Sequence, residues 1–246
     1  DAPEIVFHPQ CFEQSGHFAG DDVVRSKAFL DFANDAGFDA LWFGRGGYGS
    51  CRLAETVIPR LNGAARAKQY LGYSDVGFLL AGLYGAGCTR VAHGPMPIDV
   101  TRRNGDAPVL RALAFLRGDR AGVEASVSSN APYAAFNMTV FSNLLGTPLE
   151  PDLSGHVLML EDINEYMYRI DRMLFHITSQ RSIRRVKGLM LGRCEPIPPN
   201  DPDFVQSEEE VARHWCAVSG IAYLGRCDIG HDVNNKIVPF GRAAIV

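Results

Sequence analysis

The feature that most constrains this chain is a repeated alternation in its first half. Short apolar runs are each followed by a helical pattern. Ala40–Phe43, Gln69–Gly72 and Thr89–His93 are too short for helices and are bounded by glycine or polar residues, as buried strands are. Between them, Asp21–Ala36 places Val24, Ala28, Phe29, Phe32 and Ala33 on one helical face. Ser50–Ala54 opens another helix, and Val76–Tyr84 (VGFLLAGLY) is apolar nearly all round, as a helix covered by protein on most sides must be. Parallel strands cannot be joined by a tight turn and need a crossover, which a helix supplies. The alternation therefore predicts an α/β chain with a mainly parallel sheet. Glu4–His8 reads as one more short strand ahead of it.

Between Pro97 and Pro132 the pattern lapses. Arg102–Asp106 is a polar turn, Val109–Leu116 a short helix, and "GVEASVSSNAP" a loop-rich crossover. This places an N-terminal α/β domain at 1–97, a linker at 98–131 and a C-terminal domain at 132–246. In the last, Phe136–Leu145 reads as helix, Val157–Leu160 as strand, and Tyr166–Ile177 as a helix with Ile170, Met173, Leu174 and Ile177 inward. Gly188–Leu191 is strand-like. Glu208–Ser219 is a helix opened by Ser207, an N-cap with acidic residues in the first turn. Ile221–Leu224 and Ile237–Val238 are strand-like.

Composition removes several classes of function. An apolar content of 46% with 21% charged residues suits a globular protein with a sizeable core. A net charge of −4 gives no global pull toward nucleic acid or an anionic membrane. No apolar run reaches the length of a membrane span, and the first residues lack a basic region followed by an apolar one. Cys11, Cys51, Cys88, Cys194, Cys216 and Cys227 form no C-x-x-C pair, which argues against a zinc ribbon or a dense disulfide scaffold. Free thiols in a reducing cytoplasm are the expectation.

The stretch "LWFGRGGYGSCRLAE" carries Gly44-Arg45-Gly46-Gly47-Tyr48-Gly49, which satisfies G-x-G-x-x-G between a strand and a helix. A dinucleotide loop also needs an acidic residue some twenty positions on, at the end of the second strand, to hold ribose. That window holds "NGAARAKQY". A tight strand-to-helix turn therefore ranks above a cofactor loop.

In "YLGYSDVGFLLAGL", Ser74 stands directly after a strand and before an apolar helix. A serine on such a turn exposes its hydroxyl, and the adjoining helix N-terminus favours developing negative charge. The spacing departs from G-x-S-x-G, because Val76 holds the last glycine position. Read locally, Ser74 as a mere helix cap ranks above the nucleophile. A hydroxyl nucleophile needs a base, and the base needs a carboxylate. Among the histidines, His8, His17, His176 and His214 lie without other chemical signals, and His156 precedes a strand and reads as exposed. His93 ends a strand and could approach a cleft, and His231 sits in a polar, glycine-bounded loop. Glu161 ends the apolar strand "VLML", where an acid is costly unless paired, and Asp162 beside it could cap a helix.

Taken together, "HFAG", "ALWFGRGGYGS", "LGYSDVGFLL", "HGPM", "LLGTPLEPDLSGHVLMLEDINEYMYRIDRML" and "GHDVNNKIVPFG" resemble the LD-carboxypeptidase family of serine peptidases. The six stretches run in family order from His17 to the chain's end. The resemblance implies Ser74 as nucleophile, Glu161 of "LED" as the orienting acid and His231 as the base. It implies an oxyanion hole made by the backbone N–H groups of Asp75 and Gly47, so that the glycine turn serves a reacting carbonyl. The family's leading strand and helix ahead of "HFAG" are not matched, and 97–135 matches poorly.

The implied fold is a Rossmann-like N-terminal domain with a parallel sheet plus a smaller mixed α/β, β-rich C-terminal domain, with the triad between them. The implied substrate is a murein tetrapeptide, cut between an L-centre diamino acid and a terminal D-alanine without metal or organic cofactor. A homodimer is expected, and neither nucleic acid nor membrane is an expected partner. An immunity peptidase acting on an aminoacyl nucleotide is the alternative within the class. A nucleotide-binding oxidoreductase using the glycine turn and a silent peptide-binding module are the alternatives outside it.

Overall fold

The computed structural model describes residues 3–242. Its first sheet has the order β1-β2-β3-β8. Strands β1 (Ala40–Trp42), β2 (Gln69–Gly72) and β3 (Val91–His93) are parallel, and β8 (Val238–Pro239) returns from the far end of the chain to run antiparallel to β3. The crossovers are α2 (Cys51–Val57) with α3 (Gly63–Ala67), then α4 (Gly77–Gly85), with α1 (Asp22–Asn34) preceding β1. Asp21 caps α1 by accepting the N–H of Val24 at 2.8 Å.

The second sheet has the order β7-β6-β5-β4-β9 and is the wider of the two. Strands β4 (Pro132–Asn137), β5 (Val157–Glu161), β6 (Gly188–Leu191) and β7 (Tyr223–Arg226) are parallel, and β9 (Gly241–Arg242) closes the edge antiparallel to β4. Helices α6 (Met138–Leu144), α7 (Met167–Ser179) and α8 (Glu208–Ser219) make its crossovers. At α8 the Ser207 hydroxyl accepts the Glu210 N–H while the Glu210 carboxylate accepts the Ser207 N–H, a capping box. One apolar cluster runs from Phe29, Leu79 and Leu83 through Phe136 and Phe141 to Leu174 and Leu191, so the two sheets share a core.

The alternation predicted the first sheet closely, and three readings are corrected. Glu4–His8 forms no strand: Glu4–Phe7 is exposed chain, and His8 is half-buried with its ring 5.1 Å from that of Phe32. The segment from Phe136 is not wholly helix. Pro132–Asn137 is a central strand, and α6 begins only at Met138, capped by the Asn137 side chain. Because β4 is covered on both faces, its sequence carries no period-two alternation to announce a strand. The last parallel strand lies two residues later than read, at Tyr223–Arg226.

The stretch read as linker is structured. Helix α5 (Asp106–Leu116) follows a one-turn helix at Pro97–Thr101. Beyond α5 the chain bonds to the C-terminal strand segment: Ile237 N–H donates to Gly122 O at 3.1 Å, and Glu124 N–H donates to Ile237 O at 2.9 Å.

Candidate active site

Ser74 opens the turn between β2 and α4. Its φ of 61° lies in the left-handed region, which a residue with a Cβ enters at a cost of roughly 1–3 kcal/mol. The anchorage outweighs that cost. Phe78, Leu79, Leu80 and Leu83 of α4 are buried, at about 1.5–3 kcal/mol each before chain entropy is counted. The Asp75 carboxylate accepts the Ser50 N–H at 2.8 Å, and the Ser50 hydroxyl donates to the Asp75 carbonyl. The turn is therefore tied to the start of α2. Ser74 caps nothing here; its hydroxyl is turned elsewhere.

It meets His231. Ser74 Oγ lies 3.0 Å from His231 Nε2, and His231 Nδ1 lies 2.5 Å from Glu161 Oε2. An ionised carboxylate only accepts, so Nδ1 carries the proton and donates to Glu161. The neutral ring then offers the Nε2 lone pair to the Ser74 hydroxyl. Glu161, the last residue of β5, is fully buried, His231 is buried, and Ser74 is half-buried. Burial alone would depress the imidazole's pKa. The charge and hydrogen bond of Glu161, helped by Asp162 and opposed by Arg102, more than offset it, and the net direction is upward from 6.5.

The glycine turn faces this serine. A Cβ on Gly46 would stand 2.9 Å from Ser74 Cβ, 3.1 Å from its Oγ and 3.5 Å from the Asp75 nitrogen. Gly47 beside it holds φ at 112°, which glycine adopts freely. The loop thus brings main chain against the serine and the Asp75 N–H. Its far side is filled, because a Cβ on Gly49 would lie 2.7 Å from the Phe18 ring, and Arg25 donates to Gly49 O at 3.2 Å. The "HFAG" stretch therefore props the glycine turn.

Two other sequence candidates do not join. His93 is buried against Tyr73, with ring centroids 5.6 Å apart, and burial pushes its pKa down to about 4. His156 is buried rather than exposed, since its Nε2 lies 2.8 Å from the Tyr84 hydroxyl. Asp162 caps α6 from outside that helix, accepting the Thr139 N–H at 2.9 Å and Asn137 Nδ2 at 2.8 Å. Burial raises its pKa to about 6. Sequence reasoning missed Tyr73, Asp99 and Arg102. The Tyr73 hydroxyl donates to Asp99 Oδ1 at 2.8 Å, Arg102 Nε donates to the same oxygen at 2.9 Å, and Arg102 also donates to the His231 carbonyl. Asp99 and Arg102 stand three residues apart, a spacing that could have flagged an ion pair, but their links to Tyr73 and to the His231 carbonyl are distant in sequence. All six cysteines are free, and among the described residues no cluster of three or more His, Cys, Asp or Glu is placed to hold a metal ion. Among the same residues no helix is long and apolar enough to cross a membrane.

Comparison with known proteins gives the lineage. A protein of Synechocystis sp. named as a carboxypeptidase is 32% identical over 253 residues, covering 98% of this chain and 80% of its own. The murein tetrapeptide carboxypeptidase of Pseudomonas aeruginosa is 25% identical over 230 residues, covering 84% of this chain and 72% of its own. Among solved structures, the muramoyltetrapeptide carboxypeptidase of Oxalobacter formigenes superposes with a TM-score of 0.79 at 26% identity, over 94% of this chain and 82% of that one. The wild-type microcin C7 self-immunity protein gives 0.78 at 18% identity over 95% and 80%, a likeness of fold alone. Residues 3–94 match the LD-carboxypeptidase N-terminal domain and residues 132–246 the LD-carboxypeptidase C-terminal domain. With both domains matched in order along one chain, the protein belongs to the LD-carboxypeptidase family and is a serine-type carboxypeptidase.

Proposed function

We propose that this enzyme removes the terminal D-alanine from a murein tetrapeptide by cleaving its amide bond to the L-centre of a diamino acid. The observation that carries the chemistry is the chain of contacts from Ser74 through His231 to Glu161, with the serine on a strained turn. The names of the Pseudomonas and Oxalobacter relatives support the substrate.

His231 Nε2 takes the hydroxyl proton as Ser74 Oγ attacks the amide carbonyl. Glu161 holds the imidazole's orientation and stabilises the imidazolium. The N–H groups of Asp75 and Gly47 receive the oxyanion, and removing one such donor typically costs roughly 3 kcal/mol. The imidazolium then protonates the departing D-alanine nitrogen. Water, activated by the same base, hydrolyses the acyl-enzyme. In this reading residues 1–97 bring the nucleophile, 132–246 bring acid and base, and 98–131 join them.

The test is mass spectrometry of a murein tetrapeptide incubated with wild-type protein and with Ser74→Ala. Wild type is expected to yield tripeptide and D-alanine. The variant should lose at least about 10⁴-fold in kcat while keeping its fold. A well-folded Ser74→Ala protein that retains most activity would remove the serine from the mechanism. An intact tetrapeptide, alongside cleavage of an aminoacyl sulfamoyl nucleotide offered in parallel, would move the substrate assignment to that class.

A further inference from the structure

We propose that Arg102 is a positioning residue for the His231 base, fastening the loop that carries the imidazole to the turn that carries the nucleophile. The inference rests on the serine-peptidase reading above. Arg102 lies in the stretch "DVTRRNGD", which the sequence presents as a polar surface turn. Its guanidinium makes contacts in three directions. Nε donates to Asp99 Oδ1 at 2.9 Å, one terminal nitrogen donates to the Tyr73 hydroxyl at 3.3 Å, and the other donates to the backbone carbonyl of His231.

The cluster is closed on itself. The Tyr73 hydroxyl spends its proton on Asp99 Oδ1 at 2.8 Å and accepts from Arg102, while Asp99 Oδ2 accepts the Met96 N–H at 2.9 Å. Tyr73 and Asp99 are nearly inaccessible, at 2% and 3% exposed, so the group is a built part of the interior. Tyr73 immediately precedes Ser74, and its ring lies 4.9 Å from the imidazole. One guanidinium thus reads the position of the nucleophile's neighbour and of the base's own peptide. A planar fork with five donors suits this, whereas an ammonium is a point charge that cannot span the three acceptors in the same way. A second strut, Arg111 of α5, donates to Val233 O at 3.2 Å and Asn235 O at 2.7 Å, on the same loop.

Arg102 also has an electrostatic signature that a purely structural brace would lack. The charged and titratable groups around His231 are Glu161 and Asp162 at the end of β5, Arg102 beyond its carbonyl with Asp99 paired to it, Asp232 of the same loop with its partner Arg193, and Tyr73 and His93, which are uncharged at neutral pH. Glu161 and Asp162 favour the imidazolium, and Arg102 opposes it. Loss of the guanidinium therefore moves the His231 titration upward, because burial and the two acids are unchanged.

The experiment uses Arg102→Lys, Arg102→Gln and the double variant Asp99→Asn/Arg102→Gln, in which no carboxylate is left buried without its cation. kcat and KM are measured on the tetrapeptide, and the His231 ring protons are titrated by NMR, assigned by difference from His231→Gln. The expected result for both glutamine-bearing proteins is a kcat lower by about 10²-fold, with KM changed by less than roughly threefold; Arg102→Gln, which leaves the Asp99 charge in place, should in addition shift the His231 titration to higher pH. Arg102→Lys should restore the titration and only part of kcat. Wild-type kcat per folded molecule with an unmoved titration, whatever the change in melting temperature, would overturn the proposal. If wild type fails to release D-alanine, the substrate reading falls, and the titration still decides whether Arg102 governs His231.

Discussion

Replacing Glu161 by glutamine removes one charge and almost no volume, at a residue that is fully buried and 2.5 Å from the imidazole. In the proposed mechanism His231 becomes a cation beside that carboxylate as Ser74 attacks. With charge centres about 4 Å apart and an effective dielectric near 20, the attraction is about 4 kcal/mol. At about 1.36 kcal/mol per factor of ten, that is about three powers of ten in rate. A glutamine oxygen accepting from Nδ1 returns part of this. A glutamine amide turned toward Nδ1 instead enforces the wrong tautomer, which costs about 10⁴-fold in a comparable triad. The expected loss in kcat for Glu161→Gln therefore lies between about 10²- and 10⁴-fold.

The sign of the pH response checks the same reasoning independently. In the wild type burial pushes the His231 pKa down, and Glu161 is the main influence lifting it above 6.5. kcat/KM should therefore fall with about one proton as pH drops through a value above the ordinary histidine range. In Glu161→Gln burial is left largely unopposed, so the acid limb should move to lower pH even as the plateau drops. Stability runs the other way. A folded pKa raised above the unfolded value stabilises fully below about 6.5, and that contribution fades as pH rises through the folded pKa. The wild type should exceed the variant in melting temperature at pH 5 and lose that advantage by pH 8, where the carboxylate is buried beside a neutral ring. Steady-state D-alanine release and thermal melts across that range provide the measurements. A kcat within tenfold of wild type, or an acid limb displaced upward, would refute this account.

Two further outcomes follow from the site's geometry. Gly46→Ala would set a methyl 2.9 Å from Ser74 Cβ and 3.1 Å from its Oγ, so loop or serine must shift by tenths of an ångström. A kcat loss of about 10- to 100-fold is expected, with far-UV circular dichroism unchanged. Asp162→Asn removes a charge that favours the imidazolium, so the acid limb of kcat/KM should move to lower pH. Because the folded Asp162 pKa is raised to about 6, the wild type binds an extra proton between about 4 and 6 and loses stability as pH rises through that window. The variant's melting temperature should be flatter there.

Each member of the candidate triad drew notice from a local rule, although that rule alone favoured a helix cap at Ser74 and left His93 beside His231. Ser74 stood out because a strand ran directly into an apolar helix, Glu161 because an acid closed a buried strand, and His231 because glycines bounded a polar loop. Their meeting was not legible from local pattern, since the contacts span 157 and 70 residues. Family resemblance supplied the link that spacing could not. The Arg102 cluster was opaque for the same physical reason. Only Asp99 among its acceptors is local; the others come from Tyr73 and from the peptide of His231, so "TRRNGD" shows only the polarity of a turn. Strand β4 was misread because burial on both faces erases the alternation that sequence reading relies on, and the adjoining α6 continued the apolar run.

The site's position follows from strand direction. In a parallel sheet every strand delivers its carboxyl end to the same side, and chemistry gathers in the crevice there. Ser74 lies just past the last residue of β2, and Glu161 is the last residue of β5. His231 reaches them by another route. After β7 the chain crosses from the second sheet to the first and back within a few turns of backbone. Cys227 N–H donates to Leu191 O at 3.0 Å at the end of β6, and Arg193 N–H donates to Ile229 O at 2.8 Å. Val238 then pairs with His93 in β3, and Gly241 pairs with Tyr133 in β4. The loop holding His231 is therefore clamped at one end by the second sheet and at the other by the first. Neither sheet alone fixes where the imidazole lies. The Ser74–His231 distance reports the relative placement of the two sheets, and the Arg102 guanidinium, bonded to Tyr73 on one side of that gap and to the His231 carbonyl on the other, is placed to hold it.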